Sequence, residues 1–104
     1  MVATESQLRL TQVERNGVVC LRPEGELDAA TIEPLRARLD DLGRHHKTVR
    51  LDLGGLSFLG TAGLGVLLDA NQQERLTFYH GGPEVERMLR LSGVDRLLDF
   101  EPGA

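Results

Sequence analysis

Apolar and polar residues alternate along Val49-Arg50-Leu51-Asp52-Leu53. A period of two marks a strand with one covered face. Further on, Leu64, Leu67 and Leu68 fall at i, i+3 and i+4, the stripe of a helix packed on a sheet. Between the two patterns, Gly54 and Gly55 stop the strand, and Leu56-Ser57-Phe58-Leu59 carries the chain toward the carboxyl edge of the sheet. Gly60-Thr61-Ala62-Gly63-Leu64-Gly65 then opens the helix. The two periodicities meet at the hydroxyl of Thr61.

The same reading extends to the rest of the chain. Leu8, Leu10 and Val13 predict a first strand, Asn16-Gly17 a hairpin turn, and residues 18–22 the returning antiparallel strand. Pro23 is expected to end regular pairing, because it has no N–H to give, and residues 25–28 to form a turn. Asp28 is placed there to accept backbone N–H bonds. A first helix is predicted over residues 31–42, with Ile32, Leu35, Leu39 and Leu42 on one face and Thr31 as its cap. Pro34 belongs in its first turn, and Gly43 is expected to supply a left-handed stop. The second helix should fade near residues 71–73, and Leu76 and Phe78 alternate as a further strand. Gly82-Pro83 opens a third helix whose inner face holds Val85, Met88 and Leu89 and whose end is Gly93. Leu97, Leu98 and Phe100 form a closing apolar segment over a sheet edge or the bottom of the core.

The order is therefore β-β-α-β-α-β-α. Strands that alternate with helices after an opening hairpin call for right-handed crossovers and a largely parallel sheet. The expectation is one α/β domain over residues 1–104, with short flexible ends at about 1–5 and 101–104.

Composition narrows the function. The chain has 104 residues, a formal net charge of −4, no Trp, one Tyr and three Phe, which fits a single domain with an aliphatic core. Its 12 Lys and Arg are spread along the chain rather than clustered, which argues against a phosphate-gripping nucleic-acid surface. Cys20, the lone cysteine, lies in an apolar run and reads as a small buried hydrophobe. The first ten residues hold no signal-peptide core, and no apolar stretch approaches the roughly 20 residues of a membrane span. A cytoplasmic protein is expected.

The chemistry is sparse. Acidic residues are dispersed, and His45 and His46 are adjacent without a partner at ligand spacing, so no metal or cofactor is expected. Neither a nucleophile elbow nor a Walker loop occurs, and Gly60, Gly63 and Gly65 do not match a dinucleotide fingerprint. Without converging acid, base or nucleophile, the chain reads as a binding protein rather than an enzyme. A nucleotide-binding module lacks a phosphate-gripping Lys or Arg in the glycine turn. Thr61 has two readings: a cap for free N–H groups, or an acceptor of a phosphoryl group at the positive end of a helix.

Residues 56–67 resemble the signature of STAS domains, specifically bacterial anti-sigma factor antagonists of the SpoIIAA type. Gly25-Glu26-Leu27-Asp28 with Thr31, and Arg87-Met88-Leu89-Arg90-Leu91-Ser92-Gly93-Val94, match that family in register. The resemblance implies a SpoIIAA-like fold, a mixed and mostly parallel sheet of four to five strands with helices packed on it. It also implies partner switching. The unphosphorylated antagonist binds an anti-sigma factor that is also a serine/threonine kinase, phosphorylation releases it, and a phosphatase resets it. Carried onto this chain, the acceptor is Thr61, and the partner surface is Asp28, Ser57, Gly60, Thr61, Ala62, Gly63 and Leu64. Gly60 stands where the family usually has Asp, Ala62 follows the acceptor, and the segment before Leu76 is shorter than usual. The resemblance also allows a STAS subunit of a lipid-transport ATP-binding-cassette assembly. A monomer or weak dimer is expected.

Overall fold

A computed structural model describes residues 7–102. Its elements run β1 (Leu8–Arg15), β2 (Val18–Leu27), α1 (Ile32–Arg44), β3 (Thr48–Asp52), a 3-10 turn (Leu53–Gly55), β4 (Leu56–Leu59), α2 (Thr61–Ala70), β5 (Leu76–Tyr79), α3 (Pro83–Ser92) and a last 3-10 turn (Val94–Arg96). Asn16 and Gly17 both take positive φ, the backbone that a two-residue hairpin turn requires.

β2 organises the sheet. On one side it pairs antiparallel with β1, from Arg15↔Val18 to Leu8↔Gly25. On the other side it pairs parallel with β3 from Val18 to Leu21, and then with β4 from Gly25 to Leu27. β5 joins β3 in parallel. The five-stranded sheet is therefore mostly parallel, as expected.

The expected stop at Pro23 does not occur. β2 continues to Leu27, and Pro23 lies where its parallel partner changes from β3 to β4, so the missing N–H interrupts neither parallel ladder. The turn expected at residues 25–28 accordingly begins only at Asp28. Leu56–Leu59 is a strand of its own rather than a connection. Its period-2 signal is absent because Leu56 and Leu59 are buried while Ser57 and Phe58 are exposed.

Gly43 does not end the first helix. It lies inside α1 against the side chain of Gln73, and the left-handed residue is His46, with φ 54°. Gly93, by contrast, does end α3 in the left-handed region, with φ 79°, and Val94 is buried beside it. Pro83 holds the first position of α3, where its absent N–H costs no helical bond.

One sheet face carries Val19, Leu21, Val49, Leu51, Leu76 and Phe78 into the core, all essentially buried. There they meet Leu35 and Leu39 of α1, Val66 and Leu67 of α2, and Val85 and Leu89 of α3. The alternate residues form a polar face, where Arg22 pairs with Asp52 at 3.1 Å and Arg50 with Glu101 at 3.3 Å. The closing segment covers the β5 edge. Phe78 donates to the Asp99 carbonyl at 2.9 Å, and Glu101 donates to the Phe78 carbonyl at 2.8 Å. Glu101 is thus tied down rather than part of a tail. The end expected at residues 1–5 lies outside the described residues.

Candidate partner-binding site

β2 and β4 run parallel and in register at Leu27↔Leu59, so their carboxyl ends emerge side by side. Asp28 follows one and Gly60 the other. The Gly60 N–H donates to the Leu27 carbonyl at 2.9 Å and ties the two exits together. Helix α2 then starts at Thr61.

Gly63 sets how closely α2 approaches. A Cβ there would lie 2.7 Å from Leu59 Cδ1 and 2.9 Å from the Leu27 carbonyl oxygen, too close for any side chain. The first turn of α2 therefore rests directly on the ends of β2 and β4, with Leu64 buried beneath it. Gly65 points to open space.

The neighbouring helix start, that of α1, is saturated with bonds. Asp28 Oδ1 accepts from Ala30 N–H at 3.0 Å, and the Asp28 carbonyl accepts from Thr31 and Ile32 N–H at 3.0 and 3.1 Å. Thr31, buried, donates its hydroxyl to the Glu26 carbonyl at 2.7 Å and accepts from Asp28 N–H at 3.0 Å. It occupies the cap position without making a capping bond, because its hydroxyl points back into the turn.

Thr61 is the opposite case. The cap position of α2 is Gly60, which has no side chain to offer. Thr61 is the first helical residue and exposed, and no other described residue bonds its hydroxyl. The N–H groups of Thr61, Ala62 and Gly63 precede the first helical bond, which Leu64 N–H makes to the Gly60 carbonyl at 3.0 Å. No acidic side chain occupies that turn. The exposed hydroxyl thus stands at the positive end of a ten-residue helix, a place that favours an anion.

The other expected surface residues divide. Asp28, Gly60, Thr61 and Ala62 share the edge where β2 and β4 end. Ser57 is exposed on β4, with its hydroxyl on the Gly25 carbonyl at 3.2 Å. Gly63 and Leu64 are buried on the inner side of α2 and support this surface from below. One feature went unread in the sequence: Phe58 points outward, and its ring comes within 3.2 Å of where a Cβ on Gly60 would be. Among the described residues no group of three His, Cys, Asp or Glu is arranged to hold a metal, and no helix is long and apolar enough to cross a membrane.

Residues 8–99 match the family described as "Mlab, STAS domain". An anti-sigma F factor antagonist of Paenibacillus polymyxa is 30% identical over 101 residues, covering 88% of this chain and 84% of that protein. The chain belongs to the STAS-domain family. Solved structures of this family share the fold. An antagonist from Mycobacterium paratuberculosis superposes with a TM-score of 0.78 at 22% identity, covering 92% of this chain and 86% of that one. SpoIIAA in its unphosphorylated form gives 0.70 at 23% identity, covering 93% of this chain and 90% of that one. The Bacillus cell fate determinant SpoIIAA in its phosphorylated form gives 0.64 at 22% identity, covering 93% of each chain.

Proposed function

We propose that this chain is an anti-sigma factor antagonist. In its unmodified form it docks an anti-sigma factor of the serine/threonine kinase type and so frees the sigma factor. Asp28, Ser57, Gly60, Thr61 and Ala62 make the contact surface, with Gly63 and Leu64 setting its shape. The observation that carries this reading is the exposed Thr61 hydroxyl at an uncapped helix start, beside a neighbouring threonine that is fully bonded.

Thr61 is the switch. Its oxygen takes the terminal phosphoryl group of ATP from the kinase, ADP leaves, and the hydroxyl proton is lost. The phosphate meets the free N–H groups of α2, so the fold tolerates it. It also adds nearly two negative charges to a surface that must pack closely against the partner. The complex separates, and a phosphatase restores the hydroxyl.

Titration calorimetry with the cognate anti-sigma factor tests the reading. Wild type and Thr61→Ala are expected to bind alike, and Thr61→Glu to bind at least tenfold more weakly with an unchanged circular dichroism spectrum. Equal affinity of Thr61→Glu and wild type would refute the switch. A second reading is favoured by Gly60, which leaves Thr61 without the adjacent carboxylate usual in the family. It makes the chain a STAS subunit of a lipid-transport ATP-binding-cassette assembly, with the same surface on the ATPase. Copurification with a transporter ATPase instead of an anti-sigma factor would decide for it.

A further inference from the structure

Beside the Thr61 surface, β4 and α3 enclose a groove of about 180 Å³. Phe58 and Leu59 form one wall, Met88 and Leu91 the other, and Glu84 and Arg87 stand at the rim. Two of the most exposed large apolar side chains in the structure converge here, Phe58 at 49% and Leu91 at 75%. Single exposed apolar residues are ordinary, but two that meet across a groove are the kind of feature that marks a contact site. Neither side chain is needed by the fold. β4 reaches the core through Leu56 and Leu59, and α3 through Val85 and Leu89.

The groove is continuous with the Thr61 edge. Phe58 precedes Gly60 by two residues, and its ring lies over Gly60 where a side chain would otherwise stand. Phe58 and Ser57, which also lines the groove, thus connect it to the Gly60–Thr61 edge. At the rim, Glu84 and Arg87 form no ion pair among the described residues, leaving one charge of each sign to orient an incoming segment.

We infer that this groove is the affinity anchor for the protein that covers Thr61. It receives one large apolar side chain, such as Leu, Met or Phe, from a segment of the same anti-sigma factor. The inference rests on the function proposed above and adds a division of labour: the groove supplies holding energy, and Thr61 supplies the charge-controlled release. Buried apolar anchors of this kind carry a large share of interface energy.

The test is a binding series against the cognate anti-sigma factor. Leu91→Glu and Phe58→Glu are expected to weaken binding about tenfold or more, the loss typical of an anchor residue. Val13→Glu, at an exposed apolar position on β1, is expected to leave affinity within twofold. Thr61→Glu in the same series separates the two claims. If Thr61→Glu has no effect, the proposed function fails. If Thr61→Glu weakens binding while Leu91→Glu and Phe58→Glu do not, the groove is not the anchor. Equal losses in Leu91→Glu and Val13→Glu would also overturn the inference, because the effect would then be non-specific. So would a Leu91→Glu variant that loses only self-association in sedimentation, which would assign the groove to a second copy of this chain.

Discussion

Two threonines stand where a parallel strand hands over to a helix, and the structure treats them oppositely. Thr31, at the start of α1, is buried and bonded on both sides, to the Glu26 carbonyl and the Asp28 N–H. Thr61, at the start of α2, is exposed and follows a cap residue with no side chain. Both are threonines at a helix start, Thr31 in the cap position and Thr61 one residue further on; the difference is what lies next to each hydroxyl. At α1 the chain turns through Asp28 and folds back on itself, so Thr31 satisfies backbone groups that would otherwise be buried without partners. At α2 the chain enters the helix directly, and glycine lets the helix settle on the strands with its first turn open. One threonine is bonded into the fold, and the other is left exposed with no hydroxyl bond among the described residues.

That contrast can be broken in stability measurements, beginning with the change of greatest effect. Gly63→Leu forces a side chain into Leu59 and the Leu27 carbonyl, and it is expected to cost about 3 kcal/mol in urea unfolding, at the upper end for overpacking. A loss below about 1 kcal/mol would mean that α2 is not pressed onto the strand ends. Thr31→Val keeps the shape but leaves the Glu26 carbonyl and the Asp28 N–H without that partner. A loss of about 2 kcal/mol is expected, as for buried polar groups stripped of a hydrogen bond. Gly65→Ala meets nothing within 4 Å and should stabilise the exposed helical position by about 0.5–1 kcal/mol. Thr61→Ala is expected to change stability by less than about 0.5 kcal/mol, as for a surface residue outside any cap or network. If Thr61→Ala cost as much as Thr31→Val, the two threonines would share a structural role and the distinction would fail.

Much of this fold was legible along the chain because the local chemistry was unambiguous. Asn16-Gly17 takes the positive φ values of a hairpin turn, Pro83 holds the first position of α3, and Gly93 ends it left-handed. The alternation around Leu51 and the helical stripe at Leu64, Leu67 and Leu68 both fell on real elements. Less legible were features set by neighbours distant in sequence. β4 is too short to show a period, and its Ser57 and Phe58 both face outward. Pro23 stays inside β2, opposite Leu10 of β1, at the point where the parallel partner changes from β3 to β4. His46 takes the left-handed conformation expected of Gly43, which lies within α1 beside the Gln73 side chain. At the site, the pattern placed Thr61 in the first turn of a helix, where the structure also has it, but its missing cap was not visible. A threonine at a helix start reads as a cap until the structure shows Gly60 in that position. The outward turn of Phe58 was hidden for a similar reason, since an aromatic residue in an apolar run is by default assigned to the core.

The central claim is that Thr61 is the switch, and phosphoryl transfer tests it most directly. The cognate anti-sigma factor kinase, given labelled ATP, is to be incubated with wild type and with Thr61→Ala, and the modified residue mapped by mass spectrometry. Label on Thr61 of the wild type and none on Thr61→Ala is the predicted result. Label retained by Thr61→Ala would place the acceptor elsewhere and contradict the account.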